Sequence, residues 1–205
     1  MGQQRVENFN NNEAQERYTL APFRELDLEN ESDLTAYFQL LTHPSNVEHV
    51  VSPPEDPADL KRKLLRDTTL TYIAENILGE IVGGGGINDA EEGQHDHHLV
   101  RVVVHPDYKG TDIEKNLFRV LTDKAFTASA RDERERLKLD VVIIRDVDGW
   151  QGMPNMLEQL GFRPLHIMLE QVDVFDQRKG QIVRKPTERW EIRREEWLSL
   201  SENLK

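Results

Sequence analysis

The sequence contains no cysteine among its 205 residues. This absence excludes disulfide bonds, thiolate zinc sites and cysteine nucleophiles. The chain also lacks a run of about 18 apolar residues and an N-terminal segment in which charged residues precede an apolar stretch. We therefore expect a soluble, cytoplasmic protein with no membrane span and no secretory signal.

Basic residues are few relative to acidic ones. The chain has 26 Lys and Arg against 38 Asp and Glu, which gives a formal net charge of -12. Nucleic acids and anionic membranes are bound by clustered Lys and Arg side chains that displace counterions. We expect neither as a partner. The charge favours cationic partners, although acidity that simply keeps a protein soluble is the commoner explanation.

The length of the chain suits one substantial hydrophobic core rather than two large domains. Residues 1–17 are polar, rich in Asn, Gln and Glu, and show no periodicity, which is typical of a mobile tail. The sequence therefore predicts a disordered N-terminal tail at 1–17, a single domain at 18–198 and a C-terminal tail at 199–205.

Hydrophobic periodicity predicts the order strand, two helices, three strands, helix, strand, helix and two strands. The predicted strands are 18–24, 69–75, 80–88, 98–105, 137–144, 167–175 and 189–193, and the predicted helices are 31–41, 58–66, 111–130 and one that ends at Gly161. A polar excursion is expected at 176–185. The four glycines at 83–86 lie inside a predicted strand and are not followed by Lys-Ser/Thr, so they indicate a bulge or a close backbone contact rather than a phosphate loop.

Residues 100–126 are the most informative stretch of the chain. A valine-rich strand passes through a His-Pro turn and a Lys-Gly loop into an amphipathic helix. Thr111-Asp112-Ile113-Glu114 fits a capping box, in which the side chains of Thr111 and Glu114 satisfy each other's backbone amides at a helix start. A plain strand, turn and capped helix is thus one interpretation of this segment.

The run His105-Pro106-Asp107-Tyr108-Lys109-Gly110-Thr111-Asp112-Ile113-Glu114 also resembles the pyrophosphate loop of the GNAT acyltransferases. In that family, bare backbone amides and the following helix N-terminus receive the pyrophosphate of acetyl-CoA. Lys109 stands where the family has Arg or Gln, and Gly110 matches. Asp112 and Glu114 replace two signature glycines, and each adds a carboxylate beside the anion and a Cβ where the backbone approaches it.

A second segment carries the same resemblance. Pro154-Asn155-Met156-Leu157-Glu158-Gln159-Leu160-Gly161-Phe162-Arg163 is similar to the helix-to-strand junction of these enzymes. Gly161 is expected to end the helix in a left-handed conformation, and Phe162 to enter the core. Leu157 stands where many members carry the Tyr that protonates the departing CoA thiolate. The turn at 41–47 further resembles the branch that acetylates ribosomal proteins and small molecules.

The resemblance implies the GNAT fold, an α/β arrangement with a mixed, mostly antiparallel sheet of six or seven strands and about four helices. It also implies acetyl-CoA as co-substrate. In the family, the strand equivalent to 99–104 splays from its neighbour, and its backbone binds the pantetheine arm and polarises the thioester carbonyl. The matching backbone positions are Val102, Val103 and Val104, and the positions implied for the pyrophosphate are Lys109, Gly110, Thr111, Ile113 and Lys115.

A primary amine that attacks the thioester needs a base to remove its proton. The titratable groups expected near the cleft are His98, Glu75, Asp89 and Glu92. We choose His98 as the catalytic candidate because a neutral imidazole titrates near the working pH. The alternative is that His98 is an ordinary residue at the end of a strand.

The cluster His95-Asp96-His97-His98 contains good metal ligands. In a strand, however, His95 and His97 share one face while His98 points away. The chain has no cysteine ligand and no distant Glu-x-x-His partner, so we predict no metal site.

Three functions remain open. The leading prediction is an acyl-CoA-dependent N-acyltransferase, specifically an N-acetyltransferase, that acts on a cationic small-molecule or peptide amine by direct attack on the thioester. The second is a family member that has lost acetyl-CoA binding and serves as a binding or regulatory module. The third is a scaffold whose His cluster or acidic surface recruits a cation or a partner. The resemblance also implies a homodimer, in which the edge strands of two copies of the chain pair with each other.

Overall fold

The computed structural model describes residues 22–47, 53–67, 70–89, 96–109, 111–127, 138–144, 152–165, 171–176 and 179–202. The predicted tail at 1–17 lies outside them. The strands are β1 Arg24–Glu25, β2 Leu70–Glu75, β3 Ile81–Asp89, β4 Asp96–Val104, β5 Lys138–Ile144, β6 Arg163–Pro164, β7 Gln171–Asp176 and β8 Gln181–Arg193. The helices are α1 Glu31–Thr42, α2 Pro44–Val47, α3 Pro57–Asp67, α4 Ile113–Thr127, α5 Gly152–Gln159 and α6 Arg194–Glu202, with a short 3₁₀ helix at Pro106–Tyr108.

The strands form one mixed sheet in the order β1-β2-β3-β4-β5-β8-β6, with β7 paired to β8. All of its neighbouring strands are antiparallel except β4 and β5, which run parallel. Within the described residues the sheet has eight strands, two of them only two residues long. The predicted GNAT fold is confirmed, including the adjacency of the strands predicted at 98–105 and 137–144.

Helices cover both faces of the sheet. One core cluster joins α4, α5 and α6 to β5 and β8, and the fully buried Leu121, Leu139 and Ile192 are among its members. A second cluster joins α1 and α3 to the inner strands through Tyr37 and Val103. Successive strand residues point to opposite faces, so β4 contributes to both layers.

The glycine run in β3 lets both helical layers approach the sheet closely. A Cβ at Gly83 would lie 2.9 Å from Leu117 Cδ1 of α4, and a Cβ at Gly84 would lie 2.5 Å from Tyr37 Cε2 of α1. Real Cβ atoms do not approach other atoms so closely in packed interiors. The interpretation as a close backbone contact is therefore confirmed.

The end of α5 has the geometry expected of a glycine-terminated helix. Gly161 has a φ of +85°, and its amide donates to the carbonyl of Glu158 at 2.9 Å. The amide of Phe162 donates to the carbonyl of Leu157 at 2.9 Å, which completes a Schellman motif. Phe162 is buried, as predicted.

Two local predictions are wrong. The capping box does not form, because the Thr111 amide donates to the carbonyl of Tyr108 and the Thr111 hydroxyl oxygen accepts from the Ile113 amide. The predicted polar excursion at 176–185 is largely strand, since β8 begins at Gln181 and pairs with β7. Polar residues suit such a strand because it is only partly covered.

The last helix, α6, continues to Glu202, into the segment predicted as a C-terminal tail. Among the described residues, no helix is both long and apolar enough to cross a membrane.

Candidate active site

The parallel strands β4 and β5 part within the sheet. In the described residues, their pairing covers only 96–99 on β4 and 138–141 on β5. Both strands then continue, β4 to Val104 and β5 to Ile144. On its other side β4 stays paired with β3 as far as Val104. The result is an opening between β4 and β5 into which backbone polar groups of β4 project.

A β-bulge coincides with the start of this opening. Across the β3–β4 ladder, Gly86 is paired with Arg101 and Ile87 with Leu99, so Val100 is an extra residue on β4. The last β4–β5 pair is Leu99 with Val141. A bulge bends its strand and increases the local twist. The bulge at Val100 therefore gives a physical reason why β4 turns away from β5 at this point.

The three valines predicted to line the opening are held by the core. Val103 packs in the cluster of Tyr37 and Leu40, on the α1 face. Val104 packs with Ile113, on the α4 face, and half-buried Val102 lies against the same cluster. Because packing occupies their side chains, these residues offer a ligand mainly backbone groups.

The N-terminus of α4 follows the end of β4 after one short turn. The first helical bond runs from the Asn116 amide to the Asp112 carbonyl at 2.9 Å. The amides of Glu114 and Lys115 make no hydrogen bond to another residue in the described part of the chain. Free amides and the helix dipole together favour an anion at such an end. Gly110, which was predicted to contribute here, lies outside the described residues.

The two lysines predicted to hold pyrophosphate flank this helix end. Lys109 Nζ donates to the carbonyl of Ser45 in α2 at 2.9 Å. Lys115 Nζ donates to Gln159 Oε1 at the end of α5 at 2.9 Å. Both ammonium groups thus already have protein partners, and a phosphate would have to compete with them or share them.

The carboxylates that replace the loop glycines differ in environment. Asp112 is exposed, whereas Glu114 is half-buried in the first turn of α4. Burial raises the pKa of the Glu114 carboxyl, and the nearby Lys109 ammonium offsets this only in part. A carboxyl that protonates more readily repels a bound anion less than a permanent carboxylate does.

Leu157 is completely buried in the core cluster of α4, α5 and β8. This is the position where many members of the family have a tyrosine. A leucine has no proton to donate, so any proton delivered to a leaving group must come from elsewhere.

The candidate bases are only partly described. The backbone of His98 lies on β4, between Asn88 of β3 and Asp140 of β5, just before the strands part. The side chains of His98 and Asp89, and all of Glu92, lie outside the described part of the structure. The same holds for His95 and for the side chains of Asp96 and His97, so the His-rich cluster is described only by its β4 backbone. The expectation that Glu75 lies near the cleft is wrong. Glu75 is on β2, separated from β4 by β3, and its carboxylate binds Arg24.

A buried ion pair beside the opening was not predicted from the sequence. The Asp140 side chain is fully buried on β5, and its Oδ2 accepts from Arg189 Nε of β8 at 2.9 Å. Arg189 is paired in register with Val142, which is 42% exposed although it lies on an interior strand. The only signal in the sequence is one acidic residue inside the apolar run LDVVII.

Solved structures share this fold at low sequence identity. Spermidine N-acetyltransferase from Vibrio cholerae, in complex with CoA and spermine, matches with a TM-score of 0.68, 14% identity, and coverage of 88% of this chain and 98% of that chain. The ribosomal-protein-S18-alanine N-acetyltransferase from Escherichia coli matches with a TM-score of 0.57, 13% identity, and coverage of 84% and 92%. A search of curated proteins finds no significant match.

A sequence profile of the acetyltransferase (GNAT) family matches residues 31–142. The match runs from α1 to β5, and so it includes both strands of the opening and the helix that begins at its end. Since it spans more than half of the 205 residues, and the parted strands and eight-stranded sheet agree with it, the chain belongs to the GNAT acetyltransferase family.

Proposed function

We propose that this protein is an acyl-CoA-dependent N-acetyltransferase that acylates a cationic amine. The observation that carries the proposal is the opening between β4 and β5, which starts at the bulged Val100. It leads to the start of α4, where the amides of Glu114 and Lys115 make no hydrogen bond to another described residue. An extended thioester with an anionic end requires an extended backbone edge followed by an anion-binding helix end.

The residues of this chain fit acetyl-CoA in part. The backbone of Val102, Val103 and Val104 would hold the pantetheine arm, because packing occupies their side chains. The pyrophosphate would be held by Gly110, Thr111 and Ile113, in the segment that leads into α4, together with the lysines Lys109 and Lys115. When bound, acetyl-CoA supplies the activated acyl group.

In the reaction, the unprotonated nitrogen of the amine attacks the thioester carbon. A carbon–nitrogen bond forms, the carbon–sulfur bond breaks, and the sulfur leaves with a proton. We propose His98 as the base that takes the proton from the amine, because its backbone lies on β4 next to the start of the opening. Water would protonate the leaving sulfur, since Leu157 has no acidic group.

Two observations support a cationic acceptor: the negative net charge of the chain, and its structural similarity to an enzyme solved with a polyamine. The net charge of -12 raises the local concentration of cations and slows anions. The Vibrio cholerae enzyme that shares the fold is described as a complex with spermine, which is a polyamine. A homodimer and a cytoplasmic location remain predictions for this chain.

The second candidate is a binding or regulatory module that no longer holds acetyl-CoA well. Three observations favour it. Asp112 and Glu114 place carboxylates at the anion end of the site, Lys109 and Lys115 are bonded to other parts of the protein, and Leu157 is buried in the core. All three weaken the use of the same cofactor.

Calorimetric titration with acetyl-CoA distinguishes the two candidates without knowledge of the acceptor. If the protein is the proposed enzyme, we expect saturable binding of acetyl-CoA, followed by release of free CoA thiol when spermidine is added as a test amine. A variant at an exposed site far from the opening, Leu65→Ala on α3, serves as control and should behave like the wild type. Binding without thiol release for any amine in a broad panel would favour the module, and no binding at millimolar acetyl-CoA would exclude the enzyme.

A further inference from the structure

A cavity of about 740 Å³ lies between the end of α1, the start of β3 and the turn after β4. His43 and His105 both line it, and their ring centroids are 5.7 Å apart. The cavity lies on the β3 side of β4, because the His105 amide donates to the carbonyl of Val82 at 2.8 Å. The opening lies on the β5 side of β4, and the start of α4 packs against the face that carries Val104. The cavity lies on the β3 side and against α1, so it is separate from the proposed acyl site although His105 directly follows Val104.

The two histidines are held in the same way by two copies of one local motif. Each is followed by proline, and the amide two residues ahead donates to the ring. The Ser45 amide donates to His43 Nδ1 at 3.1 Å, and the Asp107 amide donates to His105 Nδ1 at 3.4 Å. A ring nitrogen that accepts a hydrogen bond carries no proton, so these contacts favour the tautomer with the proton on Nε2 in each neutral imidazole. Asp107 Oδ2 lies 3.8 Å from His105 Nδ1, which is beyond hydrogen-bond distance.

This tautomer decides what the cavity can bind. Neither Nε2 atom donates to another residue in the described part of the chain. An Nε2 atom that carries its proton is a hydrogen-bond donor and not a metal ligand. Two such donors side by side suit the two oxygens of one carboxylate.

The walls of the cavity are fixed by two buried asparagines. Asn46 Nδ2 donates to the carbonyls of Leu40 and Val104 at 2.9 and 3.2 Å, which fastens the His43 turn to the end of β4. Asn76 Nδ2 donates to Glu80 Oε2 at 2.7 Å and to the Tyr108 hydroxyl at 3.2 Å, and both of these residues line the cavity. Both asparagines are almost fully buried. The cavity is therefore built in advance rather than formed by a ligand, which reduces the entropy lost on binding.

The rim of the cavity carries two carboxylates, which attract a cationic group. Glu80 and Asp107 line it and are exposed. A ligand with only a carboxylate would be repelled by them, and a ligand with only an ammonium group would leave the two imidazole donors unmatched. A molecule that carries both groups satisfies donors and carboxylates together.

We propose that this cavity is a second ligand site, for a small zwitterion of the amino acid or dipeptide class. The carboxylate of the ligand accepts from Nε2 of His43 and of His105, and its ammonium group lies toward Glu80 and Asp107. The volume leaves room for a dipeptide, and apolar Leu40 and Val82 supply part of the lining.

The test uses alanyl-alanine as the probe and the full-length protein without acetyl-CoA. Calorimetry should detect saturable binding, and two blocked analogues should bind at least about tenfold more weakly. N-acetyl-alanyl-alanine lacks the ammonium group, and alanyl-alanine amide lacks the carboxylate. No saturation up to about 10 mM alanyl-alanine, or equal binding of all three compounds, overturns the proposal.

The matched variants are His43→Asn and His105→Asn. An asparagine Oδ1 can accept the same amide two residues ahead and keep the turn, while the distant ring N–H is lost. Each variant should weaken alanyl-alanine binding about tenfold, and Glu80→Gln should weaken it as well. Glu29→Gln, an exposed charge change on a different surface, should have no effect. Unchanged binding in both histidine variants overturns the proposal.

A measurement on the wild type covers the case in which a variant fails to fold. Nitrogen-15 spectra of the imidazole rings should show protons on Nε2 of both histidines, and alanyl-alanine should shift both Nε2 resonances. Protons on Nδ1, or Nε2 resonances that do not move at saturation, contradict the proposal. These measurements do not depend on acetyl-transfer activity, so they test the second ligand site independently of the proposed enzyme activity.

Discussion

Replacing both carboxylates at the start of α4 should tighten the binding of acetyl-CoA. Asp112 and Glu114 occupy the positions of two loop glycines, next to helix amides that make no hydrogen bond to another described residue. A pyrophosphate at those amides would lie several ångströms from each carboxylate. At that distance and at a partly solvated surface, each repulsion is worth about 1 kcal/mol. The variant Asp112→Gly/Glu114→Gly should therefore bind at least about tenfold more tightly.

The pH dependence of binding tests the contribution of the Glu114 charge. Burial raises the pKa of Glu114, so this group loses its charge at a higher pH than an exposed glutamate does. As pH falls toward that range, the repulsion weakens, and the affinity of the wild type should rise relative to that of the glycine variant. Calorimetric titrations of both proteins at several pH values provide the comparison.

A matched variant separates charge from shape. Asp112→Asn/Glu114→Gln removes both charges and keeps both side chains. If repulsion is the main effect, this variant should recover most of the gain, and if the Cβ atoms obstruct the approach, only the glycine variant should gain. Unchanged or weaker binding in both variants, with the same melting temperature as the wild type, would show that the start of α4 does not meet phosphate.

Three further outcomes are expected. Gly84→Ala should lower the free energy of unfolding by about 1 to 3 kcal/mol in urea titrations, because the new Cβ meets the Tyr37 ring, whereas Gly152→Ala, with nothing within 4 Å, should not. Arg24→Met should destabilise the fold at neutral pH by about 1 to 2 kcal/mol, because Arg24 lowers the pKa of Asp33 through two hydrogen bonds. The stabilisation from a lowered pKa is complete above the ordinary value of 3.8 and is lost progressively as pH falls from there through the lower pKa of folded Asp33. The difference between the two proteins should therefore shrink below pH 3.8, and a constant difference would contradict the assignment. Acetylation of a cationic amine should slow as salt is raised, and a preferred acceptor with net negative charge would refute the electrostatic argument.

Local patterns in the sequence predicted most of the fold because their causes are local. A hairpin pattern identified β2 and β3, a near-continuous apolar run identified β5, and a helical period identified α1 and α4. Gly161 after an apolar helix predicted a left-handed helix end, because glycine adopts that conformation without steric strain. The polar strand β8 was only partly predicted, since its pairing with β7, rather than its own composition, makes it a strand.

The site was predicted less completely. The positions of Val102, Val103 and Val104 on a strand that parts from its neighbour followed from the motif. The bulge at Val100 did not, because it depends on which β3 residue pairs with which β4 residue. The protein partners of Lys109 and Lys115 were also missed, since Ser45 and Gln159 are distant in the sequence.

The sequence by itself determined the order of most elements, the left-handed end of α5 at Gly161, the acidic balance and the loop motif of the family. These follow from side-chain volume, backbone freedom and charge, which act over a few residues. Only the tertiary structure decided that two His-Pro turns, at His43 and His105, line the same cavity, and that buried Asp140 forms an ion pair with Arg189. Such contacts join residues that are far apart in the chain, and the packing of helices against a twisted sheet selects them.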